Sequence, residues 1–137
     1  MHLDDGERFT GPYVPIPDGV QATAVGWLDG AHPYTLGNVE ADFKARLFEA
    51  CRAHAVARTR GWHRCNLCPT TGLEAAPTTA TWDNESVSLG DAELRLAARD
   101  GTWLVAPTLV FHYVTDHGYQ PPQEFIEAIG SGRFAEI

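Results

Sequence analysis

The sequence predicts an α+β fold: a small antiparallel β-meander packed with one long and two short α-helices. Three observations predict it. Residues 38–60 carry apolar side chains at helical spacing. Residues 81–105 alternate apolar and polar positions between tight-turn dipeptides. The two kinds of pattern come in separate runs, not as the repeated strand–helix–strand units of a parallel sheet.

Gly6, Gly11-Pro12, Pro15-Ile16-Pro17 and Gly19 break up the start of the chain. Residues 1–19 are therefore expected to form an extended arm, and residues 20–137 a single domain. Within residues 20–28, Val20, Ala22 and Ala24 alternate with polar neighbours, which predicts a strand ended by Asp29-Gly30. A loop with His32-Pro33-Tyr34 follows. Asn38 is a good N-cap for the long helix, Glu40 and Asp42 suit its positive start, and Arg58 and Arg60 suit its negative end. Val39, Phe43, Leu47, Phe48, Cys51 and Ala55 make its buried face, and Gly61 is its stop. Pro69 to Ala80, rich in Thr, Ala and Pro, is expected to be a surface loop. Residues 86–89 and 92–97 predict a hairpin about Gly90-Asp91, and Asp100-Gly101 turns the chain into residues 102–105. Ala106-Pro107 then opens a helix from about Thr108 to His117, with Gly118 as its stop. Gln120-Pro121-Pro122 opens a last helix through Ile129, ended by Gly130.

Charge narrows the function. Net charge is −8, with Lys44 the single Lys among ten basic residues. A field of that sign repels phosphate backbones and argues against nucleic acid as a partner. The basic cluster at Arg58, Arg60 and Arg64 is too small to reverse it. No apolar run approaches the roughly 18 residues of a membrane span. The acidic N-terminus lacks the apolar core of a secretory signal, so a cytoplasmic protein without membrane contact is expected. Three cysteines in such a chain argue against a disulfide framework.

Two of those cysteines carry the most specific signal. Cys65-Asn66-Leu67-Cys68 is a Cys-x-x-Cys pair, and His112 and His117 form His-x4-His. Two thiolates and two imidazoles are what tetrahedral zinc takes, and both spacings lie in the range of structural zinc sites. The expected ligands are Cys65, Cys68, His112 and His117. On a straight helix, residues five apart are about 140° out of phase, so the last turn would have to loosen near Gly118. His63 is the alternative ligand, since it shares a face with Cys65 in an extended segment. Two blander readings stand beside the metal. The cysteines can be ordinary thiols near a helix end. They can also be a redox dithiol, although such a pair usually opens a helix after a strand, and this one follows a helix and is closed by Pro69.

Other candidates are weaker. Cys51 and the four tryptophans read as core. Asp116 is placed to orient an imidazole from behind. Glu124 is a possible general base, or simply an acid favoured by the start of a helix. No Gly-rich phosphate loop, Gly-x-Ser-x-Gly or His-Glu-x-x-His is present.

The run Gly61-Trp62-His63-Arg64-Cys65-Asn66-Leu67-Cys68, with Ala106-Pro107, His112-Tyr113 and His117-Gly118-Tyr119-Gln120-Pro121-Pro122-Gln123-Glu124-Phe125, resembles a group of small, uncharacterised bacterial proteins. Val25-Gly26-Trp27-Leu28 and His32-Pro33-Tyr34 extend the resemblance over most of residues 20–130. It implies a complete single domain and supplies no activity. Two functional classes follow from the residues. The first is a zinc domain with four protein ligands, the metal structural, acting by binding a protein partner or a small molecule. The second is a zinc-dependent enzyme, hydrolytic or lyase-type, with three protein ligands, a metal-bound water, and His63 or Glu124 moving protons. Four ligands favour the first class.

Overall fold

The computed structural model describes residues 2–11, 14–60, 62–68 and 78–135. Its order is β1 (Ala22–Ala24), α1 (Ala41–Ala53), β2 (Thr78–Trp82), β3 (Glu85–Leu89), β4 (Glu93–Ala97), β5 (Trp103–Pro107), α2 (Val110–His117) and α3 (Gln123–Ser131). The class is α+β, as the runs of pattern predict.

The strands pair differently from a continuous meander. β2 and β3 form their own hairpin, and a separate sheet has the order β1-β5-β4. The hairpin turns at Asp83 and Asn84, whose φ values of 49° and 66° are those of the two-residue turn that matches strand twist. Gly90-Asp91 is not a hairpin turn. It carries the chain from one sheet to the other. β4 and β5 are antiparallel, Glu93 opposite Pro107 and Ala97 opposite Trp103, whereas β1 runs parallel to β5. Thr78–Ala80, expected in a loop, begin β2; the rest of that expected loop, residues 69–77, lies outside the described residues.

The helix boundaries also move. α1 starts at Ala41 after an extended Glu40, so Asn38 is not its cap. It ends at Ala53 because the next residues find partners in the sheet. Val56 and Glu93 exchange backbone N–H···O bonds of 2.8 Å in both directions. Ala57 then takes a left-handed φ of 55°, which no helix continues through. Ala106-Pro107 finish β5 instead of opening α2, and α3 runs past Gly130 to stop at left-handed Gly132.

Alternation along β4 and β5 gives the sheet two faces. Leu94, Leu96, Leu104 and Ala106 join Phe43, Leu47, Phe48, Val110, Phe111 and Phe125 of the helices in the main core. Ala22, Ala24, Trp103 and Val105 face the other way, under Phe9 and Trp27. Glu93 and Arg95 also lie on that second side, paired at 2.9 Å and both almost fully buried. The N-terminal residues cover the edge at β1: Phe9 donates to Ala22 and Ala24 donates to Glu7. Residues 133–135 cover the edge at β4, where Ala135 donates to Arg95. Covering both edges removes open ladders that invite strand addition. No helix among the described residues is long and apolar enough to cross a membrane.

Candidate metal centre

Cys65 and Cys68 sit on a short knuckle, residues 62–68, tied to other segments by two hydrogen bonds, with a third fixing the Gly90 that receives one of them. The His63 N–H donates to the Gly90 carbonyl at 2.8 Å. The Gly90 N–H donates to the buried Thr108 hydroxyl at 2.9 Å. The Gly30 N–H donates to Asn66 Oδ1 at 2.8 Å, so the residue between the cysteines ties the knuckle to the loop after β1. Gly90 has φ of 104°, and a Cβ there would lie 2.2 Å from the His63 oxygen. Only glycine lets the two backbones approach so closely.

The imidazoles come from α2. Its Val110, Phe111, Tyr113 and Val114 are buried, which fixes the helix against the core. His112 and His117 are five residues apart, yet their ring centroids are only 5.0 Å apart. The last turn makes this possible. Gly118 is left-handed, φ 66°, and both its N–H and that of Tyr119 donate to the Tyr113 carbonyl. Those bonds reach one and two residues farther than the helical i to i−4 bond, so the turn widens. Tyr34 donates its hydroxyl to the His117 carbonyl at 3.1 Å and holds the widened end.

Cys65, Cys68, His112 and His117 each bring one ligand atom, all within 4.8 Å of one another. Cys68 Sγ lies 3.2 Å from His112 Nε2 and 3.3 Å from His117 Nε2, and Cys65 Sγ lies 3.3 Å from His117 Nε2. Zn–S near 2.3 Å and Zn–N near 2.0–2.1 Å about a tetrahedron give S···N edges of about 3.5 Å. The four residues can therefore hold one metal ion. Among the described residues no other cluster of this kind forms.

Burial favours the neutral forms of two of the four donors. Burial pushes the Cys65 thiol up to about 11; the N–H groups of Leu67 and Cys68 oppose that shift, and the neighbouring Cys68 adds to it. Burial also lowers His112, with His117 adding to the effect and Asp116 opposing it. Neutral imidazole is the form that ligates. Asp116 Oδ2 stands 3.6 Å from His112 Nδ1, and Thr115 donates to the other carboxylate oxygen at 2.8 Å. Asp116 thus faces His112, one turn back, and leaves His112 Nε2 for the cluster.

The remaining candidates fall elsewhere. His63 is exposed, lies outside the four-residue cluster, and lines a neighbouring pocket. Glu124 is exposed in the first turn of α3. Cys51 is buried against the Thr108 carbonyl, and burial pushes its thiol up to about 12. Sequence reasoning missed Gly90, Thr108 and Asn66, whose roles come from contacts between distant segments. A glycine followed by aspartate resembles a hairpin turn, and nothing local marks it as a close approach.

No curated protein and no solved structure matches the chain. Residues 1–130 match a family described as a domain of unknown function, DUF7919, and the chain therefore belongs to that family.

Proposed function

We propose that the protein is a zinc-binding domain whose single Cys2His2 site is structural, and that it acts by binding a protein partner. The reading rests on one observation: four soft and borderline donors, from two segments far apart in the chain, converge to the edge lengths of one tetrahedron. Four protein donors leave no corner for a reacting water, which is what separates this reading from a hydrolytic or lyase-type enzyme. Zinc is the metal because thiolate and imidazole together suit it, and it imposes no geometry of its own. The ion would clamp the knuckle to α2 and hold Trp62, His63 and Arg64 exposed in a fixed arrangement. Aromatic and Arg side chains presented on a rigid base are the groups that dominate protein interfaces.

Metal analysis of the purified protein, followed by the visible spectrum of a cobalt-substituted form, tests the site. The expected result is one zinc per chain and a tetrahedral cobalt spectrum with two thiolate ligands. Cys68→Ser should abolish tight binding. A chelator should lower stability by several kcal/mol, a large part of the roughly 5–15 kcal/mol of a typical domain. A metal-free protein that is equally stable would overturn the structural role. A five-coordinate or water-bearing cobalt spectrum would shift the reading to the enzyme.

A further inference from the structure

Behind the knuckle lies a pocket that the metal does not use. Its apolar walls are Trp27, Leu28, Pro107 and Leu109, and His63 and Arg64 stand at its lining from the knuckle side. Two almost fully buried polar side chains, Glu93 and Tyr113, line it as well. Tyr113 is 4% exposed, and its hydroxyl makes no hydrogen bond among the described residues. The hydroxyl is reached by solvent within the pocket, so it is free to donate to whatever occupies it. Glu93 uses only Oε1 to receive Arg95, at 3.0 Å from Nε, and Oε2 has no partner among the described residues. The pocket therefore offers one unused donor and one unused acceptor beside an indole. That indole is fixed by its own hydrogen bond to the Val105 carbonyl at 2.9 Å.

Charge and size narrow what fits. Arg95 already offsets the charge on Glu93, and Arg58 chelates Asp91 with two contacts of 3.1 Å. Each acid is thus paired with a base and calls for no cation, and His63 and Arg64 are exposed to solvent, so no buried charge in the lining calls for an anion. The water-accessible volume is about 80 Å³. At about 10–15 Å³ for each water on that measure, the pocket holds roughly six waters, the space of a single ring.

We propose that this pocket binds a small, neutral, planar nitrogen heterocycle of one ring. It would give an N–H to Glu93, receive the Tyr113 hydroxyl on a carbonyl or ring nitrogen, and lie against Trp27.

Cytosine and uracil are the probes, titrated into the full-length protein as purified and followed by amide and indole NMR signals. Benzylamine and benzoate, rings of similar size with opposite charges, are the comparators. The expected result is saturable shifts at the Trp27 indole and Leu109 amide with at least one heterocycle, tighter than with either comparator. Tyr113→Phe removes only an unpaired hydroxyl, so the fold should persist. It should weaken heterocycle binding at least fivefold. The cobalt spectrum of the same variant reports the metal site separately, so loss of the pocket and loss of the zinc are distinguishable. Absence of binding by both heterocycles, tighter binding of a charged comparator, or undiminished binding by Tyr113→Phe would each overturn the proposal.

Discussion

Gly90→Ala is the sharpest test of how the fold delivers the metal site. The new Cβ would stand 2.2 Å from the His63 carbonyl oxygen, where ordinary contact begins at 3.4 Å. The oxygen belongs to backbone, so no side-chain rotation relieves the clash, and the knuckle must withdraw by about 1 Å. Cys65 follows two residues later, and metal sites tolerate only about ±0.2 Å in ligand distance. Three costs combine. A left-handed φ costs roughly 1–2 kcal/mol for a residue with a Cβ. The 2.8 Å bond from His63 N–H to Gly90 is strained or lost, at about 1 kcal/mol. The donor tetrahedron opens, which should weaken zinc by about 10-fold or more. The total expected loss of stability is about 2–4 kcal/mol. Gly101→Ala is the control. Gly101 has φ of 89° but nothing within 4 Å of its added Cβ, so it carries the backbone cost alone. Urea unfolding and zinc competition with a coloured chelator read both variants. If Gly90→Ala matches Gly101→Ala in stability and zinc affinity, the close approach does not position the knuckle and the reasoning fails.

Three further outcomes are expected. Asp116→Asn should weaken zinc by about 10-fold, the low end for such orienting carboxylates because Asp116 is 59% exposed, and unchanged affinity in the chelator competition would remove its orienting role. Zinc binding should release protons, because burial holds Cys65 as a thiol, up to about 11, until the metal displaces its proton. Affinity should then fall as pH falls, and calorimetry in buffers of different ionisation enthalpy would contradict this by showing no buffer dependence. In the metal-free protein the sign reverses: the raised Cys65 value favours the folded state below the ordinary thiol range, and that advantage is lost as pH rises toward 11. Tyr119→Phe should cost about 1–2 kcal/mol by removing the bond to Asp5. It should also quicken proteolytic cleavage near the N-terminus, since Asp5 joins Tyr119 at 2.7 Å and the Gly26 N–H at 2.9 Å; an unchanged cleavage pattern would exclude that role.

The site is more legible in the sequence than the fold around it, and the reason is the range of the interactions. Thiolate and imidazole chemistry shows in residue type and spacing alone, so Cys65, Cys68, His112 and His117 stand out from the sequence by themselves. The one objection, the phase of His112 and His117, is met by a local signal: Gly118 widens the last turn of α2. Helix α1 shows the opposite case. Its apolar period and cap signals favour a longer helix, but Val56 pairs with Glu93, far along the chain, and that pairing ends it. The parallel pairing of β1 with β5 is equally non-local, and no periodicity in residues 20–28 announces it. Pro107 reads as a helix opener by position, yet it closes β5 opposite Glu93, because the strand needs no N–H from its last residue there. Asp83-Asn84 is readable in principle: both residues tolerate positive φ.

The two halves of the metal centre are held by different physics, and this bears on what the ion does. α2 is anchored by buried Val110, Phe111, Tyr113 and Val114, and it needs no metal to stay in place. The knuckle contributes one well-buried side chain to the core, Cys65 itself, and otherwise depends on a backbone bond from His63 to Gly90 and the bond that the Asn66 side chain receives from Gly30. Metal binding energy would therefore fall on the part of the chain that has least of its own. The main core, from Leu47 to Leu104 and Phe125, is complete without it. The exposed Trp62, His63 and Arg64 would gain most from a clamp, since the His63 N–H bond to Gly90 is the backbone bond that holds them among the described residues. A structural ion in this position orders a surface more than it builds a core, which is why the metal and the proposed partner surface are best understood as one feature.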